Sequence, residues 1–251
     1  MFDLYLFGAL IPVFASVHFL CWIALPYMSK TFNTVGASDK GYWVANHVST
    51  FHAVGAVILS VDCMVDRPEM LTEDDFFMQS EKAHFMGHFF MAYIFFDFCV
   101  CLYYNKQWKS FWENMAHHGC VLLCWYQLVG GDEHHDSYGL LFSTVSIFCE
   151  ITTPAVNLFW IQKKTGTDHG CCFTLNGLYL TFSFVLFRAG GFLWMGYKLY
   201  IVRQQFFSLA TYRYVTIAFC YLTGLTMQLM WSKKLVTGCI KTLRGGKTKG
   251  R

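Results

Sequence analysis

The chain has 251 residues, 55% hydrophobic, 19% aromatic and only 14% charged, with a formal net charge of +3. A soluble domain is about a quarter charged, so this composition excludes an ordinary water-soluble globule unless the apolar residues gather into membrane-length runs. The small positive charge sits mostly in the C-terminal tail, which argues against nucleic-acid binding.

The apolar residues do gather. Seven runs occur in chain order: Leu4–Met28, Trp43–Cys63, His84–Tyr104, Ala116–Val129, Gly139–Ile161, Phe173–Tyr197 and Leu209–Trp231. About 20 residues of helix cross ~30 Å of hydrocarbon. The first run is too aromatic, and too poorly marked by a basic start and cleavage site, for a removed signal peptide. The fourth is short and can extend back to Trp108 with its polar face inward. The expected fold is all-α: a polytopic membrane protein of about seven transmembrane helices. Residues 1–41 hold the first helix and a loop, 42–242 one membrane domain, and 243–251 a basic tail.

Lys and Arg fall unevenly between the two sets of loops. Thirteen, from Lys30 to Arg251, lie on one side and five, Arg67, Lys82, Lys198, Arg203 and Arg213, on the other. Cytosolic loops carry the excess, so the N-terminus is expected outside or in a lumen and the tail in the cytosol. The acidic loops Asp62–Glu81 and Asp132–Asp136 then face the lumen. The eleven cysteines do not read as a disulfide framework, and several fall inside apolar runs, where thiols behave as small hydrophobes. Cys171 and Cys172 stand in a short polar segment as reduced thiols or palmitoylation sites.

An ionisable side chain at membrane depth is costly and usually faces a bundle interior or a watery cavity. His52, Asp97, His117, His118, Glu150 and Arg188 are such residues. Adjacent helix positions differ by ~100°, so one of His117 and His118 can face a chamber while the other holds an interhelix bond. A chamber-facing histidine can accept a proton from a hydroxyl or amine, with Asp97 or Glu150 orienting it. Arg188 is expected to pair with Glu150 or Asp97, and the carbonyl freed by Pro154 to be taken up by Thr152 or Thr153. A lumenal cluster of His84, His88, Asp132, Glu133, His134, His135 and Asp136 reads as a solvated acidic edge rather than a metal site. No metal and no cofactor is expected.

Five ordered segments then point to one family. NHVSTFHAVGAVIL carries Ser49 and His52, with Asn46 where an arginine is usual. GHFFMAYIFFDF carries Tyr93 and Asp97, and MAHHGCVLL carries His117 and His118. CEITTPAVNLFWI carries Glu150, Thr152, Pro154 and Asn157, and LNGLYLTFSFVLFR carries Asn176 and Arg188. Over about Tyr42–Thr242 the chain resembles the TLC-domain family, the membrane domain shared by ceramide synthases and several lipid-related proteins. It departs from the ceramide synthases in the fifth run. There Phe142, Ser143, Ser146, Thr153 and Asn157 replace the polar positions flanking the glutamate, and the acid/base pair of acyl transfer is missing. The resemblance is thus to the non-ceramide-synthase branch.

It implies a six-helix barrel around a lipid-sized cavity, with the first helix packed outside. It also implies a ligand site including His52, Tyr93, Asn157, Asn176 and Arg188. Three functions stand open. One is binding or handling of a membrane lipid, an acyl chain or sphingolipid-like molecule, in lipid composition or trafficking. Another is acyl transfer or hydrolysis by His117 or His118 with Asp97 or Glu150. The third is an architectural lipid-binding subunit among membrane-protein partners. Lys247 and Lys249 resemble a dilysine retrieval signal and, with the family resemblance, point to the endoplasmic reticulum membrane, a mitochondrial or other internal membrane being the alternative.

Overall fold

The computed structural model describes residues 2–104, 107–108, 111–129 and 139–243. Among them there is no strand, and seven long helices carry the fold. These are α1 (Leu4–Met28), α2 (Ala37–Asp66), α3 (Glu81–Tyr104), α4 (Phe111–Val129), α5 (Leu140–Lys164), α6 (Gly170–Ile201) and α7 (Thr211–Thr242). All but α4 are long and apolar enough to cross a membrane. α4 has 19 residues, about 28 Å of helix at ~1.5 Å per residue, but carries Glu113, Asn114, His117, His118 and Gln127. The chain is a polytopic all-α membrane protein. The acidic Asp132–Asp136 segment and the tail from Arg244 onward lie outside the described residues.

The helices close a ring. α2 packs on α3, α3 on α4, α4 on α7, α7 on α6, α6 on α5, and α5 returns to α2. α1 stands outside this ring against α2 and α3. Its one deeply inserted ring, Phe14, lies 5.2 Å from Phe89 and 5.5 Å from Tyr93. The N-terminus is tied down twice. The Asp3 carboxylate accepts the Leu6 amide as the helix cap, and the Asp3 amide donates to His88 Nε2 at 2.9 Å. Outward faces carry exposed apolar side chains such as Phe19, Ile58, Phe182 and Leu222, as a lipid-facing surface requires. The α6–α7 seam is close because Gly196 lies under the Tyr221 ring and Gly224 under the Phe192 ring, the small-residue contact that lets membrane helices approach.

Two helices in the ring are irregular, and both breaks bear on the site. In α5, Leu140–Phe148 passes into a 3₁₀ turn, Cys149–Thr152, before helix resumes at Thr153. Pro154 cannot donate to the Glu150 carbonyl. That carbonyl is taken by the Thr153 backbone amide, not by a threonine hydroxyl as the sequence suggested. In α6, Phe184–Gly190 is a π-helical segment. π-turns inside α-helices are common at functional sites. The Cys149 thiol donates to the Phe187 carbonyl of that segment at 3.1 Å, joining the two breaks.

α7 continues well past Trp231, where its apolar run ends. Lys233, Lys234 and Lys241 stop the hydropathy but are good helix formers, so helix persists beyond the apolar run.

Candidate functional site

Two cavities stack along the axis of the ring. The larger, about 440 Å³, lies toward the N-terminal end of α2 and the C-terminal end of α7. Its walls carry Asn46, Ser49, Tyr93, Asp97, Asn114, His118 and Asn157 among aromatic residues. This volume falls within the range of about 300–1,000 Å³ usual for small-molecule sites. The smaller, about 110 Å³, is a narrow apolar extension toward the opposite end, walled by Phe90, Val121, Trp125, Phe142 and Ile217 and by the thiols of Cys120, Cys124, Cys149 and Cys220. His117, Glu150 and Arg188 line both, so the boundary between polar and apolar space is drawn by these three side chains.

Arg188 is buried and held on several sides. Its Nε donates to Thr152 Oγ1 at 2.6 Å, and its Nη2 donates to Thr153 Oγ1 at 2.8 Å and to Glu150 Oε1 at 3.3 Å. The guanidinium carbon also sits 5.2 Å from the Phe184 ring centroid. The Thr153 hydroxyl donates in turn to Glu150 Oε2, and the Thr152 hydroxyl to the Cys149 carbonyl at 3.2 Å. The 3₁₀ turn places Glu150, Thr152 and Thr153 toward the π-segment, so the two helix breaks present the ion pair and its satellites face to face. Of the two acids weighed as the arginine's partner, Glu150 is the one.

Asp97 instead faces α4. Its Oδ2 lies 3.4 Å from His118 Nε2 and 3.9 Å from the Cys101 thiol, which donates to it. Cys101 is one turn further along α3, and Asn114 of α4 lines the same cavity. His118 points toward α3, while His117 packs at 5.9 Å from Trp231 and borders both cavities. Both histidines line the larger cavity, and His118 also lies against α3 at 3.4 Å from Asp97. Tyr93 and Ser49 both line the larger cavity. The Asn157 amide donates to the Asn46 carbonyl at 2.9 Å and to Thr50 Oγ1 at 3.0 Å, fastening α5 to α2 while still forming cavity wall.

Two residues expected at the ligand site border neither cavity. His52 is fully buried, lines neither cavity, and is stacked on Tyr93 with ring centroids 3.8 Å apart. Neither of its ring nitrogens has a hydrogen-bond partner among the described residues. It backs the cavity wall through Tyr93. Asn176 donates to the Ala155 carbonyl and to Gln162 Oε1, both at 3.2 Å, between α6 and α5, and borders neither cavity. His88, part of the acidic-edge cluster, is occupied by the Asp3 amide and the His84 carbonyl. Cys101, Asn114 and Thr153 have roles the sequence did not mark, although the i, i+4 spacing of Asp97 and Cys101 was there to be seen.

A family model described as the TLC domain matches residues 42–237. The chain is 25% identical over 213 residues to TLC domain-containing protein 4 A of Dictyostelium discoideum, covering 84% of this chain and 79% of that protein. It is 27% identical over 234 residues to TLC domain-containing protein 4-B of Xenopus laevis, covering 86% and 82%. No solved structure matches it.

Proposed function

The chain belongs to the TLC domain family, and from that premise we propose that it binds and handles a membrane lipid, with an acyl chain or a sphingolipid-like body, inside the helical ring. The observation that carries this reading is the pairing of a polar cavity with a narrow apolar one across His117, Glu150 and Arg188. An amphipathic molecule has that same division. Its head would meet hydroxyls, amides and imidazoles, and its chain would meet aromatic rings and thiols. Because Arg188 is already neutralised by Glu150, the head favoured here presents hydroxyl, amide or ester groups rather than a bare charge. Such a protein acts in membrane lipid composition or trafficking, and family membership leads us to infer the endoplasmic reticulum membrane.

A second reading, acyl transfer or hydrolysis, is supported by the position of His117, which touches the apolar cavity on one side and the polar cavity on the other. Native mass spectrometry of the purified protein separates the two. The lipid-handling reading expects non-covalently held lipids released intact by organic solvent. A covalent acyl adduct on the chain favours the enzyme. A chain that carries neither lipid nor adduct and arrives with stoichiometric membrane-protein partners would overturn both in favour of an architectural role.

A further inference from the structure

We propose that Asp97, Cys101 and His118 form a binding site for one zinc ion, with its fourth coordination position open to the larger cavity. This goes beyond the lipid reading, does not depend on it, and revises the sequence-based expectation of no metal.

The donor set comes from two helices. Asp97 and Cys101 stand one turn apart on α3, so both side chains leave the same face. His118 comes from α4, which packs directly on α3. One ligand atom from each residue lies within 4.8 Å of the other two. A tetrahedral zinc with Zn–N of ~2.0 Å, Zn–O of ~2.1 Å and Zn–S of ~2.3 Å sets its nitrogen and oxygen ligands ~3.4 Å apart and its sulfur and oxygen ligands ~3.6 Å apart. The observed separations are 3.4 Å and 3.9 Å. The same 3.4 Å is too long for a good N–H···O hydrogen bond, which falls at about 2.7–3.2 Å. The pair is spaced for an ion between its members better than for a proton.

Charge and burial point the same way. Asp97 lies in a membrane span, and among the described residues no lysine or arginine comes within ion-pair distance of it. A carboxylate at that depth needs a counter-charge. A divalent cation bound by one carboxylate, one thiolate and a neutral imidazole is electroneutral. His118 is buried and faces Asp97 through Nε2. Asn114 lines the same cavity as Cys101 and can supply the outer contact that orients a thiolate ligand. Thiolate, imidazole and carboxylate together suit zinc rather than magnesium or calcium. Three protein ligands are the number found where zinc keeps a position for water or substrate. Asp97, Cys101 and His118 all line the larger cavity, so an ester, amide or hydroxyl oxygen of a bound molecule can complete the tetrahedron.

The test uses the full chain purified into nanodiscs without chelator. Elemental mass spectrometry should find about one zinc per chain. Cys101→Ser, Asp97→Asn and His118→Gln should each lower that to a small fraction. Cys99→Ser, an exposed thiol on the same helix, should leave it unchanged. Exchange with Co²⁺ should give a thiolate-to-cobalt charge-transfer band that Cys101→Ser abolishes. Any variant that does not elute as a monodisperse species is set aside, and the wild-type cobalt spectrum then decides. Wild-type protein that holds no zinc after incubation with Zn²⁺ and shows no thiolate–cobalt band overturns the proposal, even if it carries lipid. Equal zinc in wild type and in folded Cys101→Ser and Asp97→Asn overturns it as well.

Discussion

Glu150 and Arg188 meet at 3.3 Å, and each comes from a segment where its helix abandons α geometry, the 3₁₀ turn of α5 and the π-segment of α6. Membrane helices tolerate such breaks where the freed groups are buried in protein or line a cavity, and here both conditions hold. The pair closes the polar cavity against the apolar one while holding the two irregular segments together.

Arg188→Leu should therefore be strongly destabilising, because it strands the Glu150 carboxylate. Removing one member of a buried pair costs about 3–5 kcal/mol, whereas replacing both by apolar groups is often near neutral. Thermal unfolding followed by fluorescence-detected gel filtration should rank Arg188→Leu well below the Arg188→Leu, Glu150→Leu double variant. A double variant less stable than the single one would contradict the pairing.

Thr153→Val keeps the shape of the side chain and removes a hydroxyl that accepts from Arg188 and donates to Glu150. Leaving buried partners unsatisfied costs about 1–3 kcal/mol. The same change at Thr174, exposed on α6, should stay within about 0.5 kcal/mol of wild type. Equal effects at the two positions would mean that the threonine is not part of the cluster.

The polar residues at membrane depth were visible in the sequence, but their directions were not. Depth alone put both Asp97 and Glu150 within reach of Arg188, and only the packing of α5 on α6 separates them. His52 and Asn176 were read as ligand contacts from the family resemblance, and neither borders the two cavities. A histidine can instead be buried between aromatic rings, as on Tyr93 and Phe89, and an asparagine can be spent between helices. Cys101 went unmarked because a thiol in an apolar run looks like a small hydrophobe. Six of the seven helices were legible from apolar runs of membrane length, and α4 from a shorter run extended by its polar residues. The true end of α7 was not, since helix formation outlasts hydropathy once lysines take over.

The Lys and Arg bias also predicts an orientation that can be measured. A glycosylation acceptor placed at Asp132–Asp136 should be modified, and one appended after Arg251 should not. The reverse pattern would place the polar cavity at the lumenal end of the ring. Imaging internally tagged wild type and a Lys247→Ser, Lys249→Ser variant gives the companion result. Wild type should stay in the endoplasmic reticulum and the variant should leave it, whereas wild-type signal in mitochondria would refute that assignment.

The central claim is that the narrow apolar cavity receives the chain of a membrane lipid. Native mass spectrometry of wild type and Cys124→Phe, with Cys172→Phe as an exposed control, measures it directly. Cys124 walls the apolar cavity, and a phenyl ring there shortens it. Wild type and Cys172→Phe should retain the same lipids, and Cys124→Phe should retain either none or a population shifted to shorter chains. Identical lipid profiles in all three folded proteins would contradict the claim.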